Sequence, residues 1–154
     1  MHKGLKYTDS VFYEVILTAR YMRKMAEQVF KKLELKLTNE EFSVLDFLYK
    51  SDELLCQRDL AIKMLYNRAN VGKILDGLEK TGYIKRTIGE KSNYPVKLVS
   101  LTDIGENVYL ETVAQLIKIG QKAVDEISQS EADNMSLMLR KMRNVIAEIV
   151  DIDI

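Results

Sequence analysis

The chain is poor in the residues that carry most enzymatic and metal chemistry. It holds one cysteine, Cys56, and one histidine, His2, in 154 residues. A single cysteine excludes an intrachain disulfide and makes a reducing cytoplasm the expected compartment. One Cys and one distant His cannot assemble a zinc or copper cluster. No Ser–His or Cys–His pairing and no glycine-rich phosphate loop is present, so neither an enzyme nor a cofactor is expected. Glu40 and Glu41 read as helix-start residues rather than an acid–base pair. Proline occurs once and glycine seven times, which leaves little room for irregular linkers. No apolar run approaches the roughly 18 residues of a membrane span. The N-terminal MHKGLKYTDS lacks the apolar centre of a signal peptide. No membrane association is expected. With 47% hydrophobic and 30% charged residues, the chain reads as one folded domain, or a small domain with helical extensions.

An excess of charge is also missing, with 23 basic residues against 23 acidic. Taken alone, this speaks against nucleic acid. The distribution differs. Residues 1–55 carry nine basic and nine acidic groups, and residues 101–154 carry five basic and ten acidic. Residues 56–100 carry nine basic groups against Asp59, Asp76, Glu79 and Glu90, a net of +5. Such a positive island is the electrostatic footprint of a polyanion partner.

Periodicity gives the elements. Residues 8–35 place Phe12, Ile16, Ala19, Met22, Ala26, Val29, Phe30 and Leu33 at three- and four-residue spacing. This predicts one amphipathic helix of roughly 40 Å. Thr38 with Glu41 forms a capping-box pattern that opens a second helix. A short helix over 57–64 follows, and Asn67 is a good cap for another over 68–80, with Val71, Ile74, Leu75 and Leu78 inward. Gly82 falls just past its end. Residues 83–88 and 96–101 are strand-like around a turn-rich Gly89–Pro95, a β-hairpin. Thr102 caps a helix over 103–127, with Ile104, Val108, Val113, Leu116, Ile117, Gly120 and Val124 as its stripe. Ser128 or Ser130 caps the last helix, with Met135, Met138, Met142, Val145, Ile146 and Ile149 as its stripe.

Three helices followed by a hairpin is the winged form of the helix-turn-helix, in which the second helix enters the major groove. The expected fold is mainly α with a small β-hairpin wing, flanked by long terminal helices. Residues 36–101 form the winged region, and residues 1–35 and 102–154 form a helical dimerisation region. The terminal stripes lack a partner in so small a domain. Phe12, Ile16, Val145, Ile146 and Ile149 are therefore expected in a homodimer contact. On the 68–80 helix the face opposite the stripe carries Ala69, Asn70, Lys73, Gly77 and Lys80, with Arg68 near the helix start. Asn70 can pair with an adenine edge, Lys73 can reach a guanine or a phosphate, and Arg68 can meet a phosphate near the helix start. Ala69 and Gly77 are small enough for close approach.

At this point the chain resembles the MarR family of transcriptional regulators over nearly its whole length. QRDLAIKM resembles the first helix of that family's helix-turn-helix. NVGKILDGLEKTGYIKR resembles its recognition helix running into the first wing strand, and VSLTDIG resembles its VxLTxxG. The resemblance implies a homodimeric double-stranded DNA-binding regulator of a pseudo-palindromic site. It also implies release by a small-molecule effector or an oxidant, and hence repression. Two departures stand out. Where the family wing holds Asp-Arg-Arg, this chain has Asn93-Tyr94-Pro95. The wing contact then falls to Arg86, Lys91, Tyr94 or Lys97. The turn between the two helices reads Leu65-Tyr66-Asn67, without the common glycine. Cys56, near a helix N-terminus, is the one redox candidate, against the plainer reading of a buried core residue. The methionines Met22, Met25, Met64, Met135, Met138 and Met142 either line a pliable effector pocket or fill the core. The alternative function is a winged-helix adaptor that binds protein rather than DNA.

Overall fold

Residues Tyr7 and 10–150 are described in a computed structural model of the chain. The order is α1 (Val11–Lys32), α2 (Asn39–Lys50), β1 (Leu55–Cys56), α3 (Gln57–Met64), α4 (Arg68–Lys80), β2 (Ile84–Lys91), β3 (Tyr94–Leu101), α5 (Asp103–Val124) and α6 (Gln129–Ile149). The architecture is a mainly helical chain with a small antiparallel sheet, as its periodicity predicts. Contacts divide the chain into two units, 1–39 and 40–154.

The first unit holds α1, which starts where the Ser10 hydroxyl accepts from the Tyr13 N–H. It stops at Leu33, and Glu34 follows in the left-handed region with φ 57°. The helix is thus shorter at both ends than the 8–35 expected.

In the second unit the core is built from Val44 and Leu45 of α2, Leu55 of β1, Leu60 and Ala61 of α3, Val71, Leu75 and Leu78 of α4, Ile84 of β2, Val99 of β3 and Tyr109 of α5. Two positions depart from expectation. Ile74 is only half-buried. On α5 the buried residues are Gly105, Tyr109 and Thr112, whereas Ile104 is exposed. Tyr109 lies against Phe42 and Tyr49 and donates to Asp46 Oδ1 at 2.8 Å. Burial of the phenol, and then the Asp46 acceptor, hold its pKa well above the usual value.

The helix-turn-helix is capped as its sequence dictates. Asn67 Oδ1 accepts from the Asn70 N–H, which starts α4 at Arg68. Its end is a Schellman arrangement. Gly82 takes φ 76°, its N–H reaches the Glu79 carbonyl, and the Tyr83 N–H reaches that of Leu78. Between α3 and α4 the left-handed position falls on Leu65, with φ 56°. The absent glycine is thus replaced by a strained leucine.

The wing is longer than its sequence suggests. The strands run together from Ile84 opposite Leu101 to Lys91 opposite Tyr94. The turn is only Ser92-Asn93, both with positive φ, as a two-residue I′-type hairpin requires. Tyr94 and Pro95 therefore belong to β3 and not to the tip. A third strand had no signal in its two residues. Leu55 and Cys56 pair with Val99 and Leu98, giving the order β1-β3-β2.

Thr102 ties the base of the wing to α5. Its hydroxyl accepts from the Gly105 N–H and donates to the Gly82 carbonyl at 2.6 Å. Its own N–H donates to the Tyr83 carbonyl. A Cβ on Gly105 would lie 1.9 Å from that same Tyr83 oxygen, so the VSLTDIG segment needs glycine there. Helix α5 ends at Val124, three residues before expected, and Ser128 with Glu131 forms the capping box of α6. The hydrogen bonds from Ser128 hold the Glu131 carboxyl below the ordinary range.

Candidate nucleic-acid interface

Helix α4 turns Val71, Leu75 and Leu78 into the core, and this fixes what its other face presents. Arg68, Ala69, Asn70 and Lys73 are all exposed on that other face. Gly77 is the exception among the residues assigned to it. It is half-buried, and a Cβ there would stand 2.8 Å from Glu41 Oε1 of α2. At Gly77 the outer face of α4 thus borders the Glu41 carboxylate of α2. Gly72 has an equivalent neighbour. A Cβ there would meet Gln57 Nε2 at 3.0 Å, and that amide donates to the Arg68 carbonyl at 2.8 Å. Gln57 thereby bridges the starts of α3 and α4.

The wing cations divide into two classes. Arg86 is committed to α4. Its Nε donates to Glu79 Oε2 at 2.9 Å, its Nη2 to Asp76 Oδ1 at 2.7 Å and again to Glu79, and its N–H to Glu79 Oε1 at 3.2 Å. The hydrogen bond from Arg86 holds the Glu79 carboxyl below its usual range, and Glu79 and Asp76 raise Arg86 in return. Lys91 is committed to α3, with Nζ 2.6 Å from Asp59 Oδ2. Burial pushes the Asp59 carboxyl up. Hydrogen bonds from Lys91 and from the Cys56 N–H outweigh this and leave it lowered. Bonding to Asp59 raises Lys91. Arg86 and Lys91, both expected in the wing contact, are therefore ion-paired within the chain. The signals were present in outline: Asp76 and Glu79 sit at i,i+3 on α4, and Asp59 stands at the N3 position of α3.

Lys97 lies opposite Ile88 in the ladder, and both are exposed. Tyr94 is 72% exposed beside the turn. Seven of the nine cations of residues 56–100 remain: Arg58, Lys63, Arg68, Lys73, Lys80, Lys85 and Lys97. All seven are exposed, and none has an ion pair among the described residues. Three of the four acids of the segment are taken up by Arg86 and Lys91. Pairing therefore concentrates the positive charge on the outer surface.

Cys56 caps α3 and is buried, 9% exposed, with its backbone in β1. A cleft of about 300 Å³ lies between the end of α2 and β3, bordered by Tyr49, Asp52, Leu54, Ser100 and Glu106 among others. None of the six methionines named above borders it. Met135 and Met138 are exposed, and Met64 and Met142 half-buried. No helix among the described residues is long and apolar enough to cross a membrane.

Residues 37–93 match the family model of MarR. An uncharacterized HTH-type transcriptional regulator of Bacillus cereus is 25% identical over 125 residues, 81% of this chain and 80% of that protein. Among solved structures, the Staphylococcus aureus MepR–DNA complex covers 92% of this chain and 99% of its own, with a TM-score of 0.77 and 22% identity. A MarR-family transcriptional regulator of Rhodococcus sp. RHA1 covers 90% and 96%, with a TM-score of 0.77 and 17% identity. At such identities these structures speak for the fold. Residues 37–93, which hold the capped α3–α4 pair and the first wing strand, are similar to the MarR family.

Proposed function

We propose that the protein is a sequence-specific double-stranded DNA-binding transcriptional regulator, acting as a homodimeric repressor. The observation that carries this reading is the α4 surface. A helix held by Asn67, Gln57 and its buried stripe presents Arg68, Asn70 and Lys73 to solvent, with no competing side-chain partner among the described residues. Asn70 has the paired donor and acceptor that suit an adenine edge, and Lys73 and Arg68 suit guanine or phosphate. The seven exposed cations supply the sequence-independent attraction. Residues 36–101 act as the DNA-binding region. The relatives are described as transcriptional regulators, and one neighbour was solved with DNA.

Dimerisation is assigned to residues 1–35 and 102–154. No residue of α6 is buried within the chain. Val145, Ile146 and Ile149 are 57%, 38% and 75% exposed, and on α1 Phe12 and Ile16 are 48% and 42% exposed. Apolar stripes of this kind on both terminal helices call for a second copy. Two copies present two α4 helices, which suits a pseudo-palindromic site. A small-molecule effector would act by changing their spacing.

The pairing of Arg86 and Lys91 favours a second reading, an adaptor that keeps the winged fold and binds protein. A gel-shift series over salt separates the two. Wild-type affinity for its selected duplex falls steeply as salt rises. Lys73→Ala weakens binding and lowers the salt slope by about one phosphate equivalent. Absence of duplex binding at low salt supports the adaptor instead.

A further inference from the structure

The two committed cations leave β2 on opposite faces, because positions 86 and 91 differ by an odd number. Arg86 reaches α4 and Lys91 reaches α3. The base of the hairpin is already secured by Thr102 and by the β1–β3 ladder at Leu55 and Cys56. Beyond that ladder, Gly89 with Val96, Glu90 with Pro95, and Lys91 with Tyr94 pair only with one another. Lys91 thus attaches the outer half of the wing to α3.

Its anchor is itself fixed. Asp59 Oδ2 also accepts from the Cys56 N–H at 2.8 Å, so one carboxylate caps α3 and holds the wing. Lys91 Nζ lies 3.5 Å from the Leu54 carbonyl as well. The pair is partly sheltered, with side chains 36% and 22% exposed.

We propose that Asp59 and Lys91 are positioning residues that fix the outer wing against α3, so that wing and recognition helix meet the duplex in one relative orientation. This rests on the DNA-binding reading. It differs from a phosphate contact by Lys91 in the sign of one experiment. If Lys91 were waiting for phosphate, neutralising Asp59 would free it and tighten binding. If the pair positions the wing, neutralising Asp59 weakens binding although a negative charge has been removed.

The test uses the full chain as wild type, Asp59→Asn and Lys91→Gln. Lys91→Gln leaves the α3 cap in place, so it separates wing attachment from helix stability. Amide hydrogen exchange over residues 89–96 of the free protein is expected to quicken in both single variants. Duplex affinity is expected to fall roughly two- to fivefold in each single variant, the scale of one partly exposed ion pair, with an unchanged salt slope. Unchanged exchange, tighter binding by Asp59→Asn, or a slope lowered by about one in Lys91→Gln overturns the proposal. Failure of the wild type to bind any duplex at low salt instead removes the DNA-binding reading, and the exchange experiment still decides whether the pair holds the wing.

Discussion

At the scale of single residues, two backbone positions carry opposite lessons. Gly105 is a glycine because a carbonyl occupies the space of its side chain. Relief would require moving Tyr83, whose oxygen also accepts from Thr102. Gly105→Ala is expected to cost about 2–4 kcal/mol, read from urea unfolding, through overpacking against backbone. Leu65 is the reverse case, a leucine where glycine would be easier. It stands at φ 56° and is 64% exposed, so little burial is lost on replacement. Leu65→Gly is expected to raise stability by about 0.5–1 kcal/mol, the left-handed penalty less the added freedom of the unfolded chain. A lower midpoint in the same assay would show that Leu65 packs to more effect than its exposure suggests.

At the scale of elements, β2 is joined to the helix-turn-helix by charge. The Asp59 and Glu79 carboxyls both titrate below their ordinary values in the folded chain. A lowered folded pKa means that the stabilisation is complete above the ordinary carboxylate range, about pH 4. It is lost as pH falls through the lowered folded values. Thermal unfolding followed from pH 7 to 3 is therefore expected to show a midpoint falling below about pH 4. Arg86→Met and Lys91→Gln should each flatten that fall, because the partner carboxyl returns toward its ordinary value. An acid limb unchanged in both variants would place its origin elsewhere.

At the scale of the whole molecule, the proposed homodimer is tested on the unburied stripe of α6. Val145→Glu puts a charge on that stripe, 57% exposed in the single chain. Light scattering at fixed concentration should show the variant shifted from dimer toward monomer, because desolvating an unpaired carboxylate in an apolar contact costs several kcal/mol. A dimer of undiminished strength would exclude this part of α6 from the interface.

The sequence by itself determined the local structure. Caps at Asn67 and Thr102, the glycine at Gly82 and the 3.6-residue periods act within a turn or two, so α3 and α4 are legible to the residue. It also determined the positive island, since charge is conserved under folding. Tertiary structure decided everything that depends on neighbours distant in the chain. The strand Leu55–Cys56 exists only because β3 lies beside it. The hairpin extends to Ser92-Asn93 because paired strands hold Pro95 in register opposite Glu90. The side chains of Gln57 and Glu41 lie where a Cβ on Gly72 and on Gly77 would reach, neighbours that only the packing of the helices supplies. Arg86 and Lys91 stand, in sequence, among the residues expected in the wing contact. Only the approach of α4 and α3, bringing Asp76, Glu79 and Asp59 within hydrogen-bond reach, turns them into struts of the wing.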